Sequence, residues 1–201
     1  MSTGLHEERL ATVVRSLLRS GAQSVLDLGC GPGELLVRLV REAQFRRIVG
    51  VDISPAALRE AEVLLGPELA AGDGRVQLIE ASFASPDPRF EGFDAAVLVE
   101  TIEHIDPRRL SAVERAVFGG YRPATVIATT PNSEYNPIHG TPAWAFRHPE
   151  HRFEWTRAKF RAWALGVARR NGYLAAFGDI GEADPVLGSS TQMATLTRRA
   201  P

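Results

Sequence analysis

Cysteine and long apolar runs are scarce in this sequence. One cysteine, Cys30, in 201 residues excludes a disulfide framework and a zinc site built from thiolates. No apolar run reaches the ~18 residues that cross a bilayer, so we expect no contact with a membrane. Residues 1–10 include Glu7 and Glu8 and lack the apolar stretch of a secretory signal. A cytoplasmic protein is therefore expected.

An excess of charge of either sign is also missing. The chain has 23 basic and 24 acidic residues, a net charge of −1, which argues against a protein that coats long nucleic acid. A protein that contacts only a short piece of nucleic acid is compatible with this balance. Residues 147–170 hold seven of the basic residues and two acidic ones. Lysine is nearly absent, with Lys159 as the single example, which is typical of a GC-rich genome.

Two kinds of apolar pattern alternate along the chain. Short apolar runs predict buried strands, and apolar residues spaced three and four apart predict helices between them. Strands that alternate with helices favour a parallel sheet covered on both faces, and 201 residues suit one such domain. The predicted strands are 24–28, 47–52, 76–79, 93–99 and 124–129, with 173–177 and 192–197 as candidates for the last two, and the predicted helices are 5–18, 34–43, one that begins at Pro55, 107–118 and 156–171.

Residues 131–155 interrupt this alternation. They are rich in proline, histidine and aromatic residues and have no clear period. A long segment of this kind inside a compact domain is usually a lid or a binding loop. We therefore expect a substrate loop here, inserted in a single domain that spans residues 1–201.

A glycine-rich turn with the pattern D-x-G-x-G-x-G joins the first predicted strand to its helix. Gly29 and Gly31 allow a tight turn and a close approach of the backbone to a ligand. Asp52, at the end of the second strand, is placed to accept hydrogen bonds from both hydroxyls of a ribose. Asp27 would repel a pyrophosphate and suits a ligand that carries an ammonium and a sulfonium. The turn therefore favours S-adenosylmethionine over NAD.

The glycine turn resembles motif I of the class I S-adenosylmethionine-dependent methyltransferases, and Asp52 resembles their ribose-binding acid. The resemblance implies a Rossmann-like, mostly parallel sheet of seven strands with helices on both faces. It also implies that Ser82 and Phe83, after the third strand, flank the adenine of the cofactor. Ser82 lies where members of the superfamily often present an acid or a small polar group to the adenine amino group.

Two carboxylates and a histidine follow the fourth strand. Glu100, Glu103 and His104 have the i, i+3, i+4 spacing that places side chains on one side of a helical turn. Ligands of open α/β sheets bind at this end of the strands, and two converging carboxylates need a cation. Oxygen ligands with one or two imidazoles suit Mg²⁺ or Mn²⁺. The alternative is an ordinary helix start, since a Glu-His pair after this strand is also widespread in methyltransferases that bind no metal.

A fourth ligand is expected from the loop, where His139, His148 and His151 are the candidates. The loop contains T-P-N-S-E-Y-N from Thr130 and H-R-F-E-W-T-R from His151. Together with E-x-x-E-H at Glu100, these motifs are similar to those of the HEN-type small-RNA 2′-O-methyltransferases. This resemblance covers nearly the whole chain.

The HEN-type resemblance implies an enzyme that transfers a methyl group from S-adenosylmethionine to the 2′-hydroxyl of the 3′-terminal ribose of RNA, with the help of one divalent metal. One histidine of the metal site, with His104 favoured, is expected to act as the general base. His148 competes with His151 for the place of the fourth ligand. Carried over by position, the metal ligands and catalytic candidates are Glu100, Glu103, His104 and His151.

The family also implies a partner. Bacterial members often carry a further domain before the methyltransferase and work with an RNA-repair kinase–phosphatase–ligase, and plant members add domains that bind double-stranded RNA. Neither kind of domain is recognised in this sequence.

Two other functions compete with this interpretation. One is a metal-assisted, catechol-type O-methyltransferase of small molecules, which also has E-x-x-E-H, and the other is a catalytically silent binding subunit.

Two further expectations concern the loop. Phe153 and Trp155 either stack on a terminal base or pack the loop onto the core, and packing is favoured for at least one of them. Several basic residues are candidates for contacts with the last phosphates of the RNA, namely Arg147, Arg152, Arg157, Lys159 and Arg161.

Overall fold

One seven-stranded sheet organises the computed structural model, which describes residues 4–200 of the chain. Its strands are β1 (Ser24–Leu28), β2 (Arg47–Asp52), β3 (Val76–Glu80), β4 (Ala95–Val99), β5 (Thr125–Pro131), β6 (Tyr173–Asp184) and β7 (Gly188–Arg198). Their order across the sheet is β3-β2-β1-β4-β5-β7-β6. The first five strands are parallel, and β7 runs antiparallel to both of its neighbours. This topology confirms the predicted Rossmann-like, mostly parallel sheet.

Helices and apolar side chains cover both faces of the sheet. Leu26 and Leu28 belong to one buried apolar cluster and Val25 to the other, as the alternation of side chains along a strand requires. The Val25 face is covered by the first helix through Leu10 and Leu17. The helices are α1 (Gly4–Ser20), α2 (Glu34–Leu39), α3 (Pro55–Leu64), α4 (Gly66–Ala70), α5 (Leu110–Glu114) and α6 (Arg157–Asn171).

Local sequence signals account for the ends of two helices. The Ser54 side chain accepts a hydrogen bond from the Ala57 N–H at 3.3 Å, and Pro55 occupies the first turn of α3. Thr156 caps α6 in the same way. Gly172 ends α6 with a φ of 76°, a left-handed conformation that glycine adopts without strain.

The predicted helix over residues 107–118 is divided in the structure. It consists of a 3₁₀ turn at Pro107–Arg109, the short α5 and a π-helix at Arg115–Tyr121. The π-helix contains two consecutive glycines, whose low helix propensity weakens regular α geometry. At its end, the Tyr121 hydroxyl donates a hydrogen bond to the Ser85 carbonyl at 2.5 Å.

The second helix and the last two strands differ from the prediction in length. α2 ends at Leu39, where a 3₁₀-type bond from the Arg41 N–H to the Arg38 carbonyl follows its last turn. β6 and β7 extend well beyond 173–177 and 192–197, because their backbones pair along nearly their whole length. Glycine and acidic residues interrupt the apolar alternation of β6, so the sequence pattern underestimates this strand.

The loop between β5 and α6 is held at its two ends by backbone contacts. Asn132 forms an isolated β-bridge with Trp155, and a 3₁₀ turn follows at Ser133–Tyr135. Phe153 and Trp155 are buried in the apolar core, with stacked rings 4.3 Å apart. The prediction that at least one of these aromatic residues packs the loop onto the core is confirmed.

Two features expected from the composition are the lack of a membrane-spanning segment and an unreactive cysteine. Within residues 4–200, no helix is both long and apolar enough to cross a membrane. Cys30 is buried as a free thiol, and burial raises the pKa of this thiol, which is the behaviour of a packing residue rather than a nucleophile. The predictions of a single domain over residues 1–201 and of no secretory signal in residues 1–10 include residues outside the described part. These are residues 1–3 and 201.

Candidate active site

The glycine turn after β1 brings the backbone against the segment that follows β4. Gly29 has a φ of 83°, and a Cβ atom there would lie 2.5 Å from Cγ2 of Thr101. Gly31 also has a positive φ, of 53°. The N–H groups of Gly29 and Cys30 both donate to the Val51 carbonyl, at 2.7 and 3.1 Å, and tie the turn to β2. Glycine is therefore required at position 29 for both its conformation and its size.

Asp52 is fixed at the end of β2, beside this turn. Its Oδ2 accepts a hydrogen bond from the Gly31 N–H and its Oδ1 accepts one from the Ser54 N–H, both at 2.9 Å. Each carboxylate oxygen has a second lone pair, so Asp52 is still able to accept hydrogen bonds from two hydroxyls. The predicted ribose-binding role needs this arrangement.

A cavity of about 190 Å³ opens next to the glycine turn. Asp27 lines this cavity and is almost wholly buried. Burial, together with the charge of Asp52, raises the pKa of Asp27 to about 7. A cationic ligand in the cavity would favour the ionised carboxylate. Glu100 lines the same cavity, so the structure brings a cofactor candidate and a metal-ligand candidate together.

Ser82 and Phe83 follow β3 and are not among the residues that line this cavity. Ser82 is exposed, whereas Phe83 is buried in the core. The Phe83 carbonyl accepts a hydrogen bond from the Tyr121 hydroxyl at 3.2 Å, which fixes the backbone of this segment. Their role at the adenine stays a prediction.

Glu100 has an unusual backbone conformation. Its φ is 50°, in the left-handed region, which costs a residue other than glycine about 1 kcal/mol or more. Its N–H donates to the Thr129 carbonyl at 3.1 Å, and the Thr129 hydroxyl donates to Oε1 of Glu100 at 3.0 Å. Nη2 of Arg9 lies 3.2 Å from the other carboxylate oxygen. Retained strain of this kind is found preferentially at functional sites.

Glu103 is completely buried. Its Oε2 accepts a hydrogen bond from the Thr130 hydroxyl at 3.0 Å, whereas its Oε1 has no hydrogen-bond partner in the described part of the chain. Burial, and then the Glu100 carboxylate, raise the pKa of Glu103 well above its usual range. Burial also raises the pKa of Glu100. A divalent cation fits these residues, because it would satisfy the unpartnered oxygen and offset both charges.

Three histidines form a cluster beside these carboxylates. The ring centroids of His104, His148 and His151 lie 4.8 to 5.8 Å apart, and one ligand nitrogen from each lies within 4.8 Å of the others. The Arg152 N–H donates to the Glu103 carbonyl at 2.7 Å, which ties the loop to the turn that carries His104. His104 and the two loop histidines therefore converge, whereas Glu100 and Glu103 do not belong to this group among the described residues.

A buried carboxylate orients His151. Its Nδ1 lies 2.6 Å from Oε1 of Glu154, whose side chain is 1% exposed. Glu154 also accepts hydrogen bonds from the Asn136 side chain and the Arg147 N–H, at 2.6 and 2.7 Å. A carboxylate on one ring nitrogen leaves the other free, as is usual in metal-binding histidines. His148 is exposed, and its Nδ1 accepts a hydrogen bond from a backbone N–H at 3.2 Å.

The protonation of His104 is set by its surroundings. Burial, and then the neighbouring His151 and His148, lower the pKa of His104. The neutral imidazole is therefore the main form near pH 7. Only this form binds a metal or accepts a proton.

Arg9 is a site residue that the sequence patterns did not indicate. It lies on α1, far along the chain from Glu100, and Nη2 of Arg9 also donates to the Thr191 hydroxyl at 3.1 Å. Nothing in the spacing of charged residues on α1 distinguishes it from its exposed neighbours. Its position depends on how the helix packs on the sheet.

Two of the predicted RNA-binding arginines serve the fold instead. Arg147 donates to the Asn132 carbonyl and to Oδ1 of Asn136, and it thereby holds the loop together. Arg157 forms an ion pair with Glu134 at 2.9 Å. Both guanidinium groups are engaged within the protein, which corrects the expectation that they face RNA phosphates. The remaining candidates are exposed, namely Arg152, Lys159 and Arg161.

Comparison with known proteins agrees with this geometry. Residues 25–123 match the model of a methyltransferase-domain family. Together with the sheet order and the glycine turn, this match defines the chain as a class I S-adenosylmethionine-dependent methyltransferase. Two crystal structures of the methyltransferase domain of bacterial CtHen1 are 43% and 44% identical to it. The matches include 96% and 98% of this chain and the full length of both domains, with TM-scores of 0.87 and 0.89. The chain therefore belongs to the Hen1 family of methyltransferase domains.

Longer relatives carry the same domain. The small RNA 2′-O-methyltransferase of Mus musculus is 34% identical over 96% of this chain and 51% of that protein. The corresponding protein of Arabidopsis thaliana is 31% identical over 98% of this chain and 23% of its own length. The chain thus spans about half the length of the first relative and about a quarter of the second. A chain in the structure of the Pnkp1/Rnl/Hen1 RNA repair complex shares the fold, with 21% identity, a TM-score of 0.74, and coverage of 98% of this chain and 42% of that one.

Proposed function

We propose that this protein is a metal-dependent methyltransferase that acts on the 2′-hydroxyl of the 3′-terminal ribose of RNA. The observation that carries the proposal is the position of Glu100. This residue lines the cavity beside the glycine turn and lies next to the buried Glu103. A methyl donor in the cavity and a hydroxyl held at the carboxylates would therefore meet at one end of the sheet. The identity with the CtHen1 domain supports the same chemistry.

The first half of the chain holds the cofactor in this proposal. Asp52 accepts hydrogen bonds from the ribose hydroxyls of S-adenosylmethionine, and the ionised Asp27 faces its ammonium group. The turn at Gly29 lets the backbone approach the cofactor closely. We retain the assignment of Ser82 and Phe83 to the adenine.

The metal ligands in this proposal are Glu100, Glu103, His104 and His151. A Mg²⁺ or Mn²⁺ ion bound by these ligands would position both hydroxyls of the terminal ribose and would lower the pKa of the 2′-hydroxyl. His151 is preferred to His148 because Glu154 orients its ring. A histidine of the cluster accepts the 2′ proton as the oxygen attacks the methyl group in line. His104 is the first candidate, but its roles as ligand and as base compete, because a neutral imidazole that binds a metal has no free lone pair for the proton.

The need for both hydroxyls accounts for selectivity toward RNA ends. An internal nucleotide has its 3′ oxygen esterified, and a 3′-phosphate adds bulk and negative charge beside Glu100 and Glu103. Only a terminal ribose with two free hydroxyls then satisfies the site.

Exposed residues of the loop provide a surface for the end of the RNA. Trp144 is 88% exposed and Phe146 is 48% exposed, and an exposed aromatic ring is suited to stacking on an unpaired base. Arg152, Lys159 and Arg161 are exposed and suit the last phosphates. Because these contacts are few, we expect modest dependence of RNA binding on salt.

Methyl transfer to chosen acceptors tests the proposal. Radiolabelled S-adenosylmethionine is incubated with short RNAs that end in a 2′,3′-diol, a 3′-deoxyribose or a 3′-phosphate, and with a catechol, each with Mn²⁺ or with a chelator. We expect transfer to the diol RNA only, and only with Mn²⁺. Equal rates on the three RNAs would contradict the role of the two hydroxyls. Transfer to catechol alone would identify a small-molecule enzyme instead.

We also propose a partner of the RNA-repair kinase–phosphatase type and a cytoplasmic location. The similar fold in the Pnkp1/Rnl/Hen1 RNA repair complex supports the partner. Because a kinase–phosphatase removes 3′-phosphates, it would supply the free diol that this site needs. Size-exclusion chromatography of the chain with a purified kinase–phosphatase should give a joint peak, and two separate peaks would contradict the partner.

A further inference from the structure

Two consecutive threonines near the end of β5 each donate a hydrogen bond to one of the candidate carboxylate ligands. The Thr129 hydroxyl donates to Oε1 of Glu100, and the Thr130 hydroxyl donates to Oε2 of Glu103, both at 3.0 Å. Both threonine side chains are fully buried. Because water is excluded there, no solvent molecule competes for these hydroxyls, and each hydrogen bond is stronger than it would be at the surface.

The two threonines lie on opposite faces of the sheet. Ile127 belongs to the apolar cluster that contains α1, and Ala128 belongs to the cluster that contains α6. Since side chains alternate along a strand, Thr129 lies on the α1 face and Thr130 lies on the α6 face. One strand end thus reaches the two carboxylates from opposite sides.

Each hydroxyl restricts its glutamate in a specific way. The Thr129 oxygen also accepts a hydrogen bond from the Glu100 N–H at 3.1 Å, so one side chain holds both the backbone and the carboxylate of this residue. Thr130 occupies Oε2 of Glu103 and leaves Oε1, the oxygen without a partner among the described residues. The free oxygen is therefore the one available to a cation.

We propose that Thr129 and Thr130 are positioning residues that orient the two carboxylates for a divalent cation, with Oε1 of Glu103 as a ligating oxygen. This inference rests on the proposed function, which identifies Glu100 and Glu103 as metal ligands. A carboxylate that is already fixed by a hydrogen bond loses less rotational freedom when it binds the ion. The site is thus organised before the metal arrives.

Binding of Mn²⁺ alone, followed by electron paramagnetic resonance of the free ion without cofactor or RNA, tests the role of Thr130. Valine keeps the shape of threonine and lacks the hydroxyl. Thr130→Val should lower the affinity for Mn²⁺ by on the order of tenfold or more. Thr130→Ser should restore most of this affinity, because serine retains the donor.

Thr129→Val should have a smaller effect than Thr130→Val. A loss of about threefold to fivefold in the affinity for Mn²⁺ is expected, because Glu100 keeps its contact with Arg9. The matched control is Thr125→Val, at the other end of the same strand. Thr125 is also buried, and its side chain makes no hydrogen bond to a carboxylate within residues 4–200. This control should bind Mn²⁺ as the wild type does.

Two further measurements separate positioning from a general weakening of the fold. Calorimetry should show that S-adenosylhomocysteine, the cofactor without its methyl group, binds all variants within about twofold of the wild type, and circular dichroism establishes that each is folded. In a Glu103→Gln background, Thr130→Val should cost less than about twofold in the affinity for Mn²⁺, because the ligand that Thr130 orients is already lost.

Several results would overturn the inference. These are undiminished binding of Mn²⁺ in folded Thr130→Val, equal losses in the valine and serine variants, and a full additional loss in the Glu103→Gln background. A wild-type chain that does not bind Mn²⁺ would instead contradict the proposed metal site.

Discussion

The cofactor end of the sheet, at the glycine turn, and the loop between β5 and α6 are built by different parts of the chain. At the cofactor end, main-chain groups do most of the positioning, since the N–H groups of Gly29 and Gly31 bond to Val51 and Asp52. In the loop, side chains do this work, and His151 is held by Glu154, which is itself held by two further groups. The first construction depends on backbone shape and the second on single functional groups.

This difference predicts which substitutions damage the cofactor end and which damage the loop. A substitution that changes backbone conformation should damage the cofactor end and its stability. A substitution that removes one charged or polar group in the loop should damage the proposed metal binding while the fold survives. Glu103 lies where the loop contacts the turn after β4, since its carbonyl accepts the Arg152 N–H. We therefore expect it to be sensitive to changes of backbone shape and to the loss of a polar group.

The largest effect is expected from Glu103→Gln, which keeps the shape of the side chain and the acceptor for Thr130. Methyl transfer should fall by about a thousandfold, because a charged metal ligand is lost. The melting temperature of the metal-free protein should rise, since a buried carboxylate with an unpartnered oxygen is costly. The exposed Glu91→Gln serves as the control in both assays. Normal activity in Glu103→Gln would exclude Glu103 as a ligand.

Backbone shape at the cofactor end is tested by Gly29→Ala. The added Cβ would meet Thr101 at 2.5 Å, at a positive φ, so the free energy of unfolding should fall by about 3 kcal/mol or more. Gly74→Ala is the matched control, since Gly74 has a φ of 73° and no atom within 4 Å of the new Cβ. It should cost only about 1 kcal/mol of strain. Urea denaturation measures both, and equal losses would show that the contact with Thr101 is unimportant.

The side-chain construction of the loop is tested by Glu154→Gln. The affinity for Mn²⁺ should fall by roughly tenfold to a hundredfold, because His151 loses the carboxylate that orients it. The affinity for S-adenosylhomocysteine should not change. Glu91→Gln, an exposed carboxylate outside the loop, is the control. If both variants bind Mn²⁺ equally well, His151 is not oriented in the way that the structure indicates.

The acidity of the cofactor end predicts a pH dependence of stability. The pKa of Asp27 is raised to about 7 by burial and by Asp52. The folded chain therefore holds a proton that the unfolded chain has released above its ordinary pKa, so this group makes stability fall as the pH rises from about 4 to 7.

Cofactor binding should show the opposite trend, because the ammonium group of the ligand needs the ionised Asp27. From pH 6 to pH 8, the affinity for S-adenosylhomocysteine should increase by on the order of tenfold in metal-free protein. Calorimetry at several pH values measures this, with Asp27→Asn as the variant that should bind weakly and without the trend. An unchanged trend in Asp27→Asn would assign it to another group.

The smallest effect is expected at the loop surface. Trp144→Ala should raise the KM for RNA about fivefold with little change in kcat, because one base-stacking contact is lost. Val63→Ala, an equally exposed apolar residue on α3, is the control. Trp155 is buried, so quenching of tryptophan fluorescence by RNA should be weaker in the Trp144 variant. Undiminished quenching would exclude stacking at Trp144.

The same contrast explains what the sequence could predict. Buried parallel strands are continuous apolar runs, and β1 and β2 have the predicted bounds. The spacing of Glu100, Glu103 and His104 predicted one helical turn, but the 3₁₀ turn covers only Ile102–His104, and Glu100 lies outside it with a positive φ. These features are encoded by residues close together in the chain.

Other features depend on contacts over long stretches of chain. The pairing of Arg9 with Glu100 follows from the packing of α1, and no local pattern on that helix indicates it. The separate surroundings of His148 and His151 follow from the folding of the loop around Glu154. The contacts of Arg147 and Arg157 within the fold could not be predicted for the same reason. Charge alone does not distinguish an arginine that stabilises a loop from one that binds RNA.

The left-handed backbone of Glu100 has a consequence for protein engineering. Glycine at this position would relieve about 1 kcal/mol of strain, but it would leave Arg9 and the Thr129 hydroxyl without their carboxylate partner. It would also remove the carboxylate at the centre of the proposed chemistry. The backbone strain and the carboxylate are therefore coupled at this codon, and a designer cannot remove one without losing the contacts of the other.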